Sequence, residues 1–116
     1  MQDEAVYRTM LFDFYGELLT EKQRQYCDLR YNDDLTLTEI AEQEGISRQG
    51  VWVVIHRAEE ILAETERKTG LVARFAVRRD LLDAMAEDLR ELCRTTEGET
   101  KLLAERIFTR MKALEE

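Results

Sequence analysis

Apolar side chains recur at three- and four-residue intervals along most of this sequence, which is the spacing of one face of an α-helix. A first helix is predicted over residues 3–18. Its inward row is expected to be Val6, Met10, Phe14 and Leu18, widened by Tyr7 and Leu11. Thr20 and Gln23 then match a capping box, so a second helix should start there and continue to about Tyr31.

The next segment, residues 36–57, has the pattern of two short-linked helices. Thr36 and Glu39 match another capping box, and Gly45 can end a helix in the left-handed conformation without strain. Ser47 is a favourable N-cap for the helix that follows. This combination predicts a helix-turn-helix, a unit that usually places its second helix in a nucleic-acid groove.

The two helices of this motif are expected over residues 36–44 and 47–69, and Gly70 should end or kink the second one. The second helix should bury an apolar stripe on the side away from solvent. The stripe consists of Val51, Val54, Ile55, Ala58, Ile61, Leu62 and Thr65.

Long helices are predicted for the rest of the chain, over residues 71–95 and 99–115, with a turn at Glu97 and Gly98. The first of them carries a short heptad seam, and such seams pack against another helix. The seam consists of Phe75, Leu82, Met85, Leu89 and Leu92. The last helix is expected to face inward with Leu103, Ile107, Met111 and Leu114.

The pattern as a whole predicts an all-α protein with two parts. Residues 1–70 should form the helix-turn-helix domain, and residues 71–116 a helical extension that packs on it or forms a dimer interface. Proline is absent and glycine is scarce, which agrees with long helices. A chain of 116 residues with 44% hydrophobic residues can bury a core of this kind.

The net charge of −8 opposes strong binding to nucleic acid, because lysine and arginine supply most of the affinity for phosphates. Residues 46–58 are an exception, since they contain Arg48 and Arg57 and no acidic residue. A small positive face inside an acidic protein predicts nucleic-acid binding of modest affinity.

Other chemistry is not indicated by the sequence. Cys27 and Cys93 are isolated from each other and from His56, the single histidine, so we expect two reduced cysteines, no metal and no cofactor. Neither a phosphate-binding glycine loop nor a pair of catalytic carboxylates is present, and we predict no enzyme activity and no small-molecule substrate. Without an apolar signal core or a long apolar run, the chain is expected to be cytoplasmic with no membrane span.

Two resemblances bear on the fold and function. The stretch from Leu18 to Leu62 resembles region 4 of bacterial sigma factors, in which a helix precedes a helix-turn-helix. A more extensive match, over about residues 7–75, is to the YlxM or p13 family of small bacterial proteins associated with the signal recognition particle. It rests on the motifs FY-x-x-LLTEKQR, DLTL-x-EIA and SRQ.

The resemblance implies a sigma-region-4-like helical bundle with an accessory or regulatory role in the signal recognition particle pathway. The implied partners are the particle RNA, the particle GTPase or DNA of the operon. Two positions depart from the family pattern: Gly50 stands where alanine is usual, and Trp52 where tyrosine is usual. Gly50 should cost the helix about 1 kcal/mol of intrinsic propensity.

Candidate contacts to nucleic acid lie at the start of the two motif helices. Arg48 could pair with guanine or phosphate, Gln49 with adenine, and Arg57 with the next phosphate. The alternative is that these side chains are only solvated. The full candidate set is Thr36, Ser47, Arg48, Gln49, Trp52, His56 and Arg57.

Trp52 and Val53 are unusual because they place apolar side chains at outward positions of the second motif helix. The helices after residue 70 could fold over Trp52. A partner, including a second copy of the chain, could bind it. An RNA base could stack on it.

The leading hypothesis is therefore an accessory protein of the signal recognition particle, and we also expect a homodimer. A DNA-binding regulator of the sigma-region-4 type and a protein–protein adaptor are the alternatives, since one fold hosts many functions. The sequence leaves open whether RNA, DNA or protein is the partner, which target sequence is bound, and whether the second motif helix is exposed.

Overall fold

The computed structural model describes residues 4–115, which form α-helices joined by short turns. The helices are α1 (Glu4–Tyr15), α2 (Glu21–Tyr31), α3 (Leu37–Glu44), α4 (Arg48–Thr69), α5 (Leu71–Thr95) and α6 (Glu99–Ala113), with a 3-10 turn at Gly16–Leu18. No strand occurs in this part of the chain, and the predicted all-α fold class is confirmed. The first predicted helix was to begin at residue 3, which lies outside the described residues.

The chain divides into two compact units, residues 1–72 and residues 73–116. In the first unit, α4 is the central helix and packs against α1, α2 and α3. Its predicted inward stripe is largely confirmed, because Val51, Ile55, Ala58 and Leu62 are buried. Ile61 is a correction: it is exposed, since it lies just outside the arc of α4 that the other helices cover.

The start of α2 confirms the first predicted capping box. The Thr20 hydroxyl accepts a hydrogen bond from the backbone N–H of Gln23 at 3.2 Å, and the Gln23 side chain accepts one from the N–H of Thr20 at 3.0 Å. Two N–H groups that the helix itself cannot pair are thereby satisfied.

The inward face predicted for α1 is wrong at three positions, whereas Leu11 is buried and Tyr7 and Met10 pack partly buried against the core. Val6, Phe14 and Leu18 are exposed, and Leu18 retains 62% of its accessible surface. The buried residues of this helix are Leu11, Phe12 and Tyr15. The side chain of Phe12 meets Tyr31 of α2 edge to face, with the ring centroids 5.8 Å apart. The face of α1 that is buried against α2 and α4 is therefore shifted by about one residue from the predicted row.

A buried carboxylate joins the end of α4 to the start of α5. Glu66 accepts a hydrogen bond from the Tyr15 hydroxyl at 2.6 Å and another from the backbone N–H of Val72 at 3.0 Å. Burial, and then the bond to Glu66, raise the pKa of Tyr15 above its ordinary value of 10.0. Because Val72 lies in the first turn of α5, Glu66 satisfies an N–H group that the helix leaves unpaired.

The second unit is a pair of helices with a small core formed by Leu82, Ala86 and Met111. Leu89 and Phe108 pack against this core and remain partly exposed. Of the predicted heptad seam, Leu82 is thus buried and Leu89 half-buried, whereas Phe75, Met85 and Leu92 are exposed.

The inward row predicted for α6 is also largely wrong. Met111 is buried as expected, but Leu103, Ile107 and Leu114 are exposed. Phe108 and Met111 are the side chains of α6 that pack with Leu82 and Ala86 of α5, and Ala104 is also buried.

Candidate nucleic-acid interface

The first helix of the motif, α3, begins at the capping box that the sequence predicts. The Thr36 hydroxyl accepts from the N–H of Glu39 at 3.1 Å, and the Glu39 carboxylate accepts from the N–H of Thr36 at 3.0 Å. That backbone hydrogen bond lowers the pKa of Glu39 below its ordinary value of 4.5. Ile40 and Ala41 then enter the core, which fixes α3 against α4.

The turn between α3 and α4 is held by backbone geometry. Gly45 has a φ of 69° and a ψ of 32°, the left-handed conformation that glycine adopts without cost. The N–H of Ile46 returns to the carbonyl of Ala41 at 3.2 Å, and the Ile46 side chain packs partly buried against the core. Ser47 then caps α4 by accepting from the N–H of Gly50 at 3.0 Å.

The outward positions predicted on α4 are exposed in the first three turns of the helix. Arg48, Gln49, His56 and Arg57 are all exposed, and Trp52 retains 46% of its surface. Val53, which the sequence also placed outward, is only partly exposed. Thr36 and Ser47 are exposed at the helix starts, although both hydroxyls already accept capping hydrogen bonds.

Two aromatic rings form the centre of this face. The Trp52 indole and the His56 imidazole lie nearly parallel, at 8°, with their centroids 4.6 Å apart. Beyond them, the His56 Nε2 atom is 3.4 Å from a carboxylate oxygen of Glu60. Since the three residues follow one another at intervals of four, they form a continuous row along α4.

A shallow depression lies at the N-terminal side of the indole. It is lined by Leu37 of α3 and by Arg48, Gln49 and Trp52 of α4. One cation, one amide and one aromatic side chain therefore surround a concave part of the surface. Leu37 was not among the candidates from sequence, because its approach to α4 depends on how the two helices cross.

Acidic side chains occur on α4 only after Arg57 and Ala58. Glu59 accepts a hydrogen bond from the Tyr31 hydroxyl at 2.6 Å. The same carboxylate oxygen, Oε2, lies 3.8 Å from the Nε atom of Arg8. Burial, and then the bond to Glu59, raise the pKa of Tyr31. Further along, Glu64 is paired with Arg67, which lowers the pKa of the Glu64 carboxyl. The first three turns of α4, up to Ala58, are therefore the part of the helix that carries no acidic side chain.

Gly50 lies under the cap of α4. A methyl group at this position would come 3.2 Å from the Ser47 hydroxyl oxygen and 3.5 Å from the Cδ1 atom of Ile46. The first distance is tight, and the hydroxyl would have to move by a few tenths of an ångström. The absence of a Cβ at Gly50 thus leaves more room for the capping serine than alanine would.

Neither cysteine belongs to this surface. Cys27 is fully buried in the core of the first unit, and burial raises its pKa to about 12. Cys93 lies partly exposed on α5. Among residues 4–115, histidine, cysteine and acidic side chains do not gather in groups of three that could hold a metal ion.

The capped α3, the glycine turn and the capped α4 define this molecule as a helix-turn-helix protein of the all-α class. Residues 2–103 match the model of the UPF0122 family, the helix-turn-helix proteins like YlxM and p13. The chain belongs to this family. In the part of the chain that the structure describes, none of the helices is long and apolar enough to cross a membrane.

Relatives in several bacteria extend over most of the chain. The UPF0122 protein of Halalkalibacterium halodurans is 47% identical over 87 residues, which is 75% of this chain and 80% of the relative. That of Thermoanaerobacter sp. strain X514 is 41% identical over 103 residues, or 89% and 87% of the two chains. The UPF0122 protein of Geobacillus sp. strain WCH70 is 40% identical over 116 residues, covering 100% of this chain and 98% of the relative.

Proposed function

We propose that this protein is an accessory or regulatory component of the signal recognition particle pathway that binds nucleic acid through its helix-turn-helix. The observation that carries the binding role is the exposed face of α4, which presents Arg48, Gln49 and Arg57 with no acidic residue before Glu59. The role is one of binding rather than catalysis, and it belongs in the cytoplasm.

The pathway rests on the resemblance of residues 7–75 to YlxM and p13, which implies the particle RNA, operon DNA or the particle GTPase as partner. The first unit favours a nucleic acid, because the motif is fully formed and both of its helices begin at satisfied caps. Preformed helix starts leave backbone and hydroxyl groups in place for phosphate contacts at little entropic cost.

The affinity should be modest. Residues 1–72 carry fifteen acidic and eight basic side chains, so the positive face of α4 lies within a unit that repels phosphate overall. Two arginines can release few counterions, so the affinity should be low and its salt dependence shallow, with a slope of log K against log salt of about −2 on duplex DNA.

An adaptor role is the second candidate, and the half-exposed indole of Trp52 favours it. A protein surface could cover Trp52 and Val53 while the acidic remainder of the unit attracts a basic partner, such as the RNA-binding domain of the particle GTPase. A DNA-binding regulator of the sigma-region-4 type would instead use Arg48 and Gln49 on base edges.

The helix pair of residues 73–116 is proposed to mediate homodimerisation. Phe75, Met85 and Leu92 of the heptad seam are exposed, as are Leu103 and Ile107 of α6. Apolar side chains at this density on two neighbouring helices are typical of surfaces that a second chain covers.

A binding titration distinguishes the candidate partners. The intact protein is titrated with the particle RNA, with random duplex DNA of equal length and with the purified GTPase, each at about 50 mM and 200 mM salt. We expect saturable binding to the particle RNA that is tighter than binding to the random duplex. Binding to the GTPase alone would favour the adaptor, and binding to none of the three would refute the proposal.

A further inference from the structure

Aromatic side chains lie at the centre of the proposed binding face, where Trp52 stacks on His56 beside a depression. Pairing of arginine with phosphate does not require an aromatic group there. Trp52 is the single tryptophan of the chain, and it lies at the centre of the proposed binding face with nearly half of its surface open. An indole with nearly half of its surface open offers a flat apolar area on which another planar group can stack.

The geometry leaves one face of the indole available. His56 covers the other face, since the two rings are nearly parallel with centroids 4.6 Å apart. The depression that Trp52 lines includes Leu37, Arg48 and Gln49 and does not include His56. The open part of the ring therefore borders a concave surface that carries a cation and an amide.

These groups match the chemistry of an unpaired nucleobase. An indole offers a flat apolar area to the face of any base, and an amide such as that of Gln49 can both donate to and accept from a base edge. The guanidinium of Arg48 can neutralise the adjoining phosphate or stack on the base. In a duplex the base faces are covered by their neighbours, so an indole of this size could not use them.

The acidic residues further along α4 limit the length of nucleic acid that this face can contact. Along the row at intervals of four, His56 is followed by Glu60 and Glu64, which would approach the phosphates of a long duplex. Residues 46–58 contain no acid, and this span allows only a few nucleotides. A short unpaired segment avoids both carboxylates.

We propose that the depression beside Trp52 binds one unpaired base of a single-stranded or looped nucleic acid, stacked on the indole and held by Arg48 and Gln49. This inference rests on the proposed nucleic-acid binding and adds the class of ligand. It assigns Trp52 to the ligand rather than to a protein partner.

The test uses the full-length protein and two RNA probes. One is a hairpin with an unpaired loop of adenosines, and the other is its stem alone as a blunt duplex. Binding is followed by the polarisation of a dye on the RNA and by the emission of Trp52, which is the only tryptophan. We expect the hairpin to quench the emission and bind more tightly, and the duplex to leave the emission unchanged.

Variants separate stacking from general affinity. Trp52→Ala should weaken hairpin binding about ten- to a hundredfold and duplex binding hardly at all, since stacking contributes roughly 1–3 kcal/mol per base. Trp52→Phe should retain part of the difference. Ile61→Ala removes another exposed apolar side chain further along α4 and should leave both probes unaffected. Thermal melting shows whether each variant is folded.

Three results would overturn the inference. Equal losses of hairpin and duplex binding in Trp52→Ala would give the indole no preference for unpaired bases. Tight binding of both probes with unquenched emission would show that Trp52 does not contact the nucleic acid, and a protein partner would then be the expected ligand of the indole. The proposed nucleic-acid binding would stand in that case. Absence of binding to either probe at about 50 mM salt would refute both proposals together.

Discussion

The two cysteines provide a test of the core at the level of single residues. Cys27 is fully buried and its pKa is raised to about 12, first by burial and then by the charge of Glu59, whereas Cys93 is partly exposed. Because the thiolate is the reactive form, we expect a maleimide at neutral pH to label Cys93 and spare Cys27.

The labelling is measured by intact mass, which should show one adduct per native chain and two in urea. Cys93→Ser provides the control and should show none under native conditions. Equal labelling rates of both cysteines would contradict the packing of α2 in the first unit.

The two glycines of the motif should respond in opposite ways to alanine. At Gly45 the φ of 69° disfavours any side chain, so Gly45→Ala should lower the free energy of unfolding by about 1 kcal/mol. At Gly50 the helical backbone favours alanine, and the tight contact with Ser47 offsets part of the gain. Gly50→Ala should therefore raise the free energy of unfolding by less than about 1 kcal/mol.

Urea denaturation of both variants measures this difference. A destabilising Gly50→Ala would mean that the Ser47 hydroxyl cannot move aside without loss of its cap. A neutral Gly45→Ala would mean that the turn between α3 and α4 relaxes to another conformation.

The exposure of residues on the proposed binding face could be predicted from sequence, whereas their contacts could not. The i, i+4 spacing of α4 is sufficient to place Arg48, Gln49 and Trp52 outward, and they are exposed. The parallel stacking of Trp52 on His56 depends on side-chain rotamers, and the lining by Leu37 depends on the crossing of two helices. The spacing of apolar and polar residues predicts neither the stacking nor the lining.

At the level of elements, the two capping boxes differ in one titratable group. Glu39 closes the box of α3, and Gln23 closes that of α2. The pKa of Glu39 is lowered in the folded state, so its contribution to stability is complete above its unfolded pKa, near 4.5, and is lost as pH falls through the folded pKa. Gln23 makes the same hydrogen bonds at every pH.

Glu39→Gln should therefore remove the pH dependence of this box while keeping its geometry. We expect the melting temperature of the native chain to exceed that of Glu39→Gln by an amount that shrinks as pH falls from about 7 to about 3. Comparison of the two proteins cancels the titration of all other carboxylates. A difference that stays constant over this range would contradict the lowered pKa of Glu39.

Helix starts and ends were predictable because they depend on local chemistry, as at Thr20, Thr36 and Gly70. The buried faces of α1 and α6 were not. In α1 the rows that contain Val6 and Tyr7 are both apolar and lie side by side, so periodicity alone ranks them equally. The packing of Phe12 on α2 decides between them, and that contact joins residues distant in sequence.

For the whole molecule, the proposed dimer can be tested by its mass in solution. We expect sedimentation equilibrium to give twice the mass of the chain, because covering the exposed seam of α5 removes apolar surface from water. Met85→Glu should shift the equilibrium to monomer. Leu18→Glu places the same charge on an exposed leucine of the first unit and should not. A monomer at about 100 μM would contradict the proposed interface.

The central claim is that the first turns of α4 bind phosphates with Arg48 and Arg57. Its most direct test is the salt dependence of binding to duplex DNA for the native protein, Arg48→Ala and Arg57→Ala, with Arg67→Ala as control because that arginine is paired with Glu64 near the end of α4. Each lost phosphate contact should reduce the slope of log K against log salt by about 0.9. We predict a reduction of this size for Arg48→Ala and for Arg57→Ala and an unchanged slope for Arg67→Ala. Equal slopes for all four proteins, or no binding at about 50 mM salt, would contradict the claim.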